Sequence, residues 1–290
     1  MHDAGATQYC CPGCCAWNEL TALNWNSYNN VMRLCNYARK YNAIGILNTD
    51  WGDFLHINHP DFTRVGMIYG AAFSWNENIP SYEEINRQIS RLEYRDDSEG
   101  YLEIVHRIHE NSAFSWGETV RFWEIKRGVG DHEADSLKFM KDSLPSMDTA
   151  DEKDARLKEL AKELYAHIGR LDSSKKALIM PQIVAADGIR IFNQIGKFAT
   201  AELFGKAYDT MPDSWALAKE LETWFYHYKQ VYRSVSRESE LRIVQDLVCW
   251  YGDYLARSEI KNGQKEPDFG GFLSAGVPKC GARKRERSIE

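Results

Sequence analysis

Hydrophobic positions recur along this chain with two different periods. Ala6-Thr7-Gln8-Tyr9-Cys10-Cys11 is a short β-compatible run closed by Pro12-Gly13. From Asn26 to Tyr41 the spacing turns helical, with Val31, Leu34, Cys35, Ala38 and Tyr41 on one face. Ala43-Ile44-Gly45-Ile46-Leu47-Asn48 is a short apolar run suited to a buried parallel strand. A loop from Thr49 to Pro60 follows, dense in Asp, His, Gly and Asn. Phe62 to Trp75 is apolar nearly all round, the pattern of a helix packed against other structure. Residues 6 to 75 therefore read strand–helix–strand–helix, the order of parallel β/α units.

Beyond Pro80 the helical period takes over and no convincing strand is found. The spacing predicts helices over Tyr82–Tyr94, Ser98–Glu110, Trp116–Arg127, Ala155–Leu171, Lys175–Phe204, Pro212–Ser234 and Glu238–Arg257. Gly128 to Pro145 is mixed and reads as loop with a short helix. Asp148 or Thr149 is placed to cap the helix that starts at Ala155. Pro181 predicts a kink in the helix that contains it. The segment after Ser258 carries Gly270-Gly271, Pro278 and the run Arg283-Lys284-Arg285-Glu286-Arg287, and reads as a disordered tail. No fixed-period repeat is present, so a solenoid is not expected.

Composition narrows the function classes. The 290 residues are 43% hydrophobic and 27% charged, which excludes bulk disorder and a fibrous repeat. Thirty-six Lys+Arg against 42 Asp+Glu gives a net charge of -6, so nothing electrostatic favours nucleic acid. No run approaches the ~18 apolar residues of a membrane span. The start Met1-His2-Asp3-Ala4-Gly5 lacks the basic and apolar regions of a signal peptide. Seven cysteines, an odd number, then favour reduced thiols and a cytoplasmic location. The 9 Trp and 15 Tyr are many, and such rings serve sugar pockets and interfaces as well as cores.

The loop Thr49-Asp50-Trp51-Gly52-Asp53 is the most informative segment. It follows a predicted parallel strand, and ligands of parallel β/α folds bind at the carboxyl ends of strands. Carboxylates accept hydrogen bonds from vicinal hydroxyls, and an indole stacks on the apolar face of a pyranose. The same residues also make an ordinary capped loop with Trp51 as a lid on the core. His56 and His59 lie three apart beside Pro60 and read as polar loop histidines, His56 reaching the pocket. Cys11-Pro12-Gly13-Cys14 is a C-x-x-C, but the turn after a strand does not suit a redox helix. No second copy exists for a zinc ribbon, so small buried thiols are the default. Glu103-Ile104-Val105-His106 has di-iron bundle spacing without the second copy such a centre needs, so an exposed helix face is expected. No Walker loop, dinucleotide fingerprint or G-x-S-x-G elbow occurs.

Taken together, Tyr9-Cys10-Cys11-Pro12-Gly13, Trp17-Asn18, Asn29-Asn30, Asn48-Thr49-Asp50-Trp51-Gly52-Asp53 with His56, and Tyr69-Gly70-Ala71-Ala72-Phe73-Ser74-Trp75-Asn76 resemble the end of the catalytic barrel in glycoside hydrolase family 20. These are β-N-acetylhexosaminidases, and the resemblance is to their less typical bacterial branch. Trp224 to Tyr232, with Ser236-Arg237-Glu238-Ser239-Glu240-Leu241, is similar to the helical C-terminal region of those proteins. The resemblance implies an α/β start followed by mainly α structure. Residues 1–78 would be the last two β/α units of a (β/α)8 TIM-type barrel, residues 79–258 a helical domain and residues 259–290 a tail.

The resemblance also assigns roles. Tyr9 would hold the substrate acetamido group, Trp51 would wall the −1 sugar subsite and Asp53 would bind outer hydroxyls. Trp17, Asp50 and His56 would be pocket neighbours. Cys11 stands where many members have Asp, which removes one hydroxyl contact. Family 20 chemistry is substrate-assisted: the substrate's acetamido oxygen attacks, an Asp orients it and the adjacent Glu is the general acid/base. The only Asp-Glu pair here is Asp151-Glu152, in a helix-start context. The expectation is therefore a piece of a hydrolase acting on terminal β-linked N-acetylhexosamine, without catalytic residues or cofactor. Its partners would be an N-acetylhexosamine-containing glycan and a complementing barrel chain or a second copy. The alternatives are a non-catalytic helical interaction protein, and a thiol-redox or zinc protein using Cys11 and Cys14.

Overall fold

A computed structural model of the chain describes residues 2–52, 55–129 and 133–261. The first elements are β1 (Tyr9–Cys10), α1 (Asn24–Lys40), β2 (Gly45–Ile46) and α2 (Arg64–Trp75). The two strands pair in parallel, Tyr9 opposite Gly45 and Cys10 opposite Ile46. A bridge between Gly13 and Thr49 continues the pairing. Ile44 N donates to Gln8 O, Leu47 N to Cys10 O, and Thr49 N to Pro12 O, at 2.8–2.9 Å. Both strands are shorter than the runs 6–11 and 43–48, and Pro12, which has no N–H, interrupts the ladder between Cys10 and the Gly13 bridge.

The helices cover only one face of this pair. Ile46 packs against the core that Tyr28, Val31, Cys35, Val65, Tyr69 and Phe73 of α1 and α2 build. Tyr9, Cys11 and Leu47, which alternate to the other face, are exposed. Close packing between α1, α2 and the strand ends requires glycines. A Cβ on Gly66 would lie 2.7 Å from Ser27 Oγ and 2.8 Å from Cys14 Cβ, and one on Gly70 would overlap the Asn48 amide.

Eight helices follow: α3 (Tyr82–Leu92), α4 (Tyr101–Glu110), α5 (Trp116–Arg127), α6 (Glu133–Asp142), α7 (Ala150–His167), α8 (Ile179–Phe204), α9 (Ser214–Val235) and α10 (Leu241–Lys261). Their starts are chemically marked. Ser81 accepts from Glu84 N, Asp213 accepts from Ala216 N at 2.6 Å, and Ser115 with Glu118 forms a capping box. Thr149 occupies the cap position of α7 but its hydroxyl bonds Ser146 O instead, so the expected side-chain cap is not made. Pro181 produces no mid-helix kink. A 3-10 turn (Lys176–Leu178) leads into α8, and Pro181 lies in its first turn, where a missing N–H costs nothing.

α8 is the central helix, buried on most sides through Ile183, Val184, Ile189, Phe192, Ile195 and Ala199. Its Gly188 and Gly196 admit Leu20 with Trp224, and Phe114, respectively. Leu20, Ile57 and Tyr69 belong to the same buried cluster as the helical residues.

The barrel expectation is corrected. Among the described residues there are ten α-helices and two short strands, and the fold is mostly helical with no TIM barrel. Two β/α units supply two strands, and every later amphipathic segment has helical period, so no further strand extends the sheet. α10 runs to Lys261, past the expected end at Arg257; residues 262–290, which hold most of the tail, lie outside the described residues. Among the described residues no helix is long and apolar enough to cross a membrane.

Candidate functional site at the carboxyl end of the strand pair

The loop leaving β2 is built around Thr49. Its amide donates to Pro12 O and its carbonyl accepts from Cys14 N, both at 2.8 Å. Its hydroxyl donates to Pro12 O at 2.9 Å and accepts from Trp51 Nε1 at 2.9 Å. Trp51 is thereby tethered by its edge while its ring stays 55% exposed. Asp50 Oδ2 and His56 Nε2 stand 3.0 Å apart across the loop, with Gly52 beside the imidazole. Asp50 and His56 thus pair across the loop, and Trp51, next to Asp50 in the chain, is held by its own bond to Thr49.

Trp17 closes the neighbouring side. Its ring lies against Gly13, where a Cβ would sit 2.6 Å away, and Gly13 N donates to Asn30 Oδ1 at 2.9 Å. Tyr9 is placed differently. Its ring lies over Gly45, toward the amino end of the pair, and it is 62% exposed on the open face. Among the described residues no hydrogen bond joins it to the Asp50–His56 pair. Asp53 lies outside the described residues.

Two residues missed by sequence reasoning fasten this rim to the helical half. Glu240 Oε2 accepts from His56 N at 3.3 Å, and Tyr228 donates to Ile57 O at 2.7 Å. The only signal for them was the run around Trp224–Tyr232 and Ser236–Leu241, whose similarity to a helical region gave no contact. His59 turns away to accept from Asp61 N and start a 3-10 turn, and burial depresses its pKa.

The cysteines do not form an activated thiol pair. Burial pushes the Cys14 thiol up to about 12, reinforced by Asp50 and Cys15, so it stays protonated at neutral pH. Cys11 is exposed and Cys14 buried, before and after the Pro12-Gly13 segment, which continues the strand pairing instead of turning. Among the described residues no three His, Cys, Asp or Glu side chains come together as a metal-binding group.

Asp151 of the Asp151-Glu152 pair, and His106, are engaged in contacts within the helical half. Asp151 sits in the first turn of α7 and accepts from the buried Lys197 ammonium at 2.5 Å, with Gln194 and Thr210 also donating to it. His106 contacts Glu110, 3.2 Å away, rather than Glu103. His109 is pushed down to about 4 by burial, with His106 and Lys153 adding to the effect. Two residues after Trp17, burial and the nearby Glu118 carboxylate raise Glu19 to about 8.

No known protein-family model, curated protein or solved structure matches this chain.

Proposed function

We propose that the rim of Trp51, Asp50 and His56 binds a terminal β-linked N-acetylhexosamine of a glycan, as part of a subsite of the family 20 glycoside hydrolase kind. The observation that carries this reading is the tethered, exposed Trp51 indole beside the Asp50–His56 pair, at the carboxyl end of a parallel strand. An indole face held by its Nε1–H bond to Thr49 offers a stacking surface at little entropic cost. Asp50 supplies an anionic acceptor for sugar hydroxyls, and His56 orients it.

This reading assigns binding without turnover to the chain. Substrate-assisted hydrolysis needs an Asp to orient the acetamido group and a neighbouring Glu to move the proton. Asp151-Glu152 is committed to the start of α7, where Lys197 neutralises Asp151. Calorimetry with an N-acetylglucosamine-thiazoline type inhibitor, beside hydrolysis of a chromogenic β-N-acetylglucosaminide, tests it. Binding that falls about tenfold or more in Trp51→Ala and Asp50→Asn, with no hydrolysis, is expected. Binding indifferent to both substitutions, or no binding, overturns it.

The open face of the strand pair favours a second reading, a non-catalytic interaction protein. Tyr9 and Leu47 are exposed on that face, and among the described residues each strand has one paired edge and one unpaired, a place where another chain adds a strand. A partner retained without any sugar dependence would favour it.

A further inference from the structure

A large cavity lies far along the chain from the strand pair, in the helical half. It is an open cleft of about 1110 Å³ between the C-terminal parts of α5, α8 and α10 and the segment joining α8 to α9. We infer that this cleft is a second ligand site, and that it binds a neutral oligosaccharide.

Its walls are aromatic and fixed. Trp250 and Tyr254 stack one turn apart on α10, with ring centroids 5.3 Å apart and planes 7° from parallel. Phe122 holds both edge-on from below. Tyr208 lines the other side, its hydroxyl 2.6 Å from Thr200 Oγ1. Such rings are pre-organised platforms for the C–H face of a pyranose.

The polar groups among them are oriented as well. Tyr254 donates to Glu202 at 2.6 Å and Lys126 pairs with the other Glu202 oxygen at 2.5 Å, so polar groups are fixed on the cleft wall. Ser214, at the start of α9, lines the cleft, is 5% exposed, and its hydroxyl has no hydrogen-bond partner. A buried hydroxyl left unbonded costs free energy that a hydrogen-bonding ligand recovers.

Charge selects the ligand class. Lys126 faces Glu202, Lys206 faces Asp148 at 2.5 Å, and Arg257 faces Asp253 at 4.0 Å. Around the cleft Lys126, Lys206 and Arg257 stand with Glu202, Asp213 and Asp253, three cations with three carboxylates, so neither an anion nor a cation gains net attraction. A wholly apolar ligand would desolvate Glu202 and Lys126 without replacing their water. A neutral molecule with hydroxyls and apolar ring faces satisfies both walls, and the volume accommodates more than one ring. This site stands on its own chemistry and does not need the strand-end rim.

Calorimetric titration of the full chain with N,N′,N″-triacetylchitotriose and with cellotriose tests the inference. Binding of at least one trisaccharide is expected, about tenfold weaker in Trp250→Ala and several-fold weaker in Ser214→Ala, and little changed by about 0.5 M salt. Ser214→Ala removes an unbonded hydroxyl, so a purely structural role predicts an unchanged or higher Tm with affinity untouched; weaker binding at an unchanged Tm is the ligand signature. If Trp250→Ala does not fold, Ser214→Ala and Glu202→Gln decide. Binding lost in Trp51→Ala but kept in the cleft variants overturns this site and leaves the strand-end reading standing. The reverse pattern overturns the strand-end reading alone. No trisaccharide binding overturns the cleft, and the thiazoline titration then judges the rim separately.

Discussion

The phenol of Tyr228 in α9 donates a hydrogen bond to the backbone carbonyl of Ile57, 2.7 Å away and 171 residues earlier in the chain. Together with the Glu240–His56 contact it clamps the loop that carries Trp51 and Asp50 onto the helical half. The candidate rim is therefore held from both ends of the sequence. Tyr228→Phe keeps the ring and removes only the donor. It should cost ~1 kcal/mol of stability, read from the denaturant midpoint, and should speed amide exchange at residues 55–58. Unchanged exchange there would show that the clamp does not restrain the loop.

Glycine positions separate packing from helix propensity. A methyl on Gly188 would meet Leu20 Cδ1 at 2.6 Å and the Trp224 indole at 2.8 Å, between two walls of the core. Gly188→Ala should destabilise by ~1–3 kcal/mol. Gly252, inside α10, has nothing within 4 Å of the same position. Gly252→Ala should stabilise by roughly 0.5–1 kcal/mol. Thermal unfolding of the two variants, compared with the parent, reads the opposite signs.

Glu19 makes stability fall as pH rises. Its carboxyl is raised from the ordinary 4.5 to about 8 in the folded chain. Between those values the folded state binds the proton and the unfolded state has lost it. Folding is then penalised progressively from pH 4.5 up to about 8. Glu19→Gln should be close to neutral at pH 4.5 and more stable than the parent by at least ~1 kcal/mol at pH 8. A stability difference independent of pH would show that Glu19 ionises freely when folded.

Thiol mapping tests the redox alternative. With iodoacetamide at neutral pH and mass mapping, the exposed Cys11 should be alkylated well before Cys14, whose thiol is buried and pushed up to about 12. Cys14 reacting first would revive an activated C-x-x-C.

Much of the secondary structure was legible because period and punctuation are local. The strand–helix–strand–helix start, the all-round apolar α2 and the long helices after Pro80 follow from apolar spacing with Pro and Gly at the ends. Two boundaries moved for local reasons that periodicity does not weigh. Pro12 interrupts the strand pairing after Cys10, and Pro181 opened a helix instead of bending one, because an N–H is dispensable in a first turn.

The site was half legible. Residue chemistry in Thr49–His56 singled out Asp50, Trp51 and His56, and the short spacing leaves Asp50 and His56 within reach of each other. That Thr49 tethers the indole, that Tyr9 lies over Gly45, and that Tyr228 and Glu240 close the loop depend on contacts between distant segments. The expectation of a barrel end failed for a related reason: a motif at a strand end reports the local β/α unit, not how many strands surround it. The helical cleft left no motif at all, because Trp250, Tyr254, Glu202 and Ser214 come from three helices. Sequence alone determined the elements and the chemistry carried by one loop. Only the tertiary structure decided which faces stayed open and which side chains meet, because burial and long-range hydrogen bonds are properties of the packed chain.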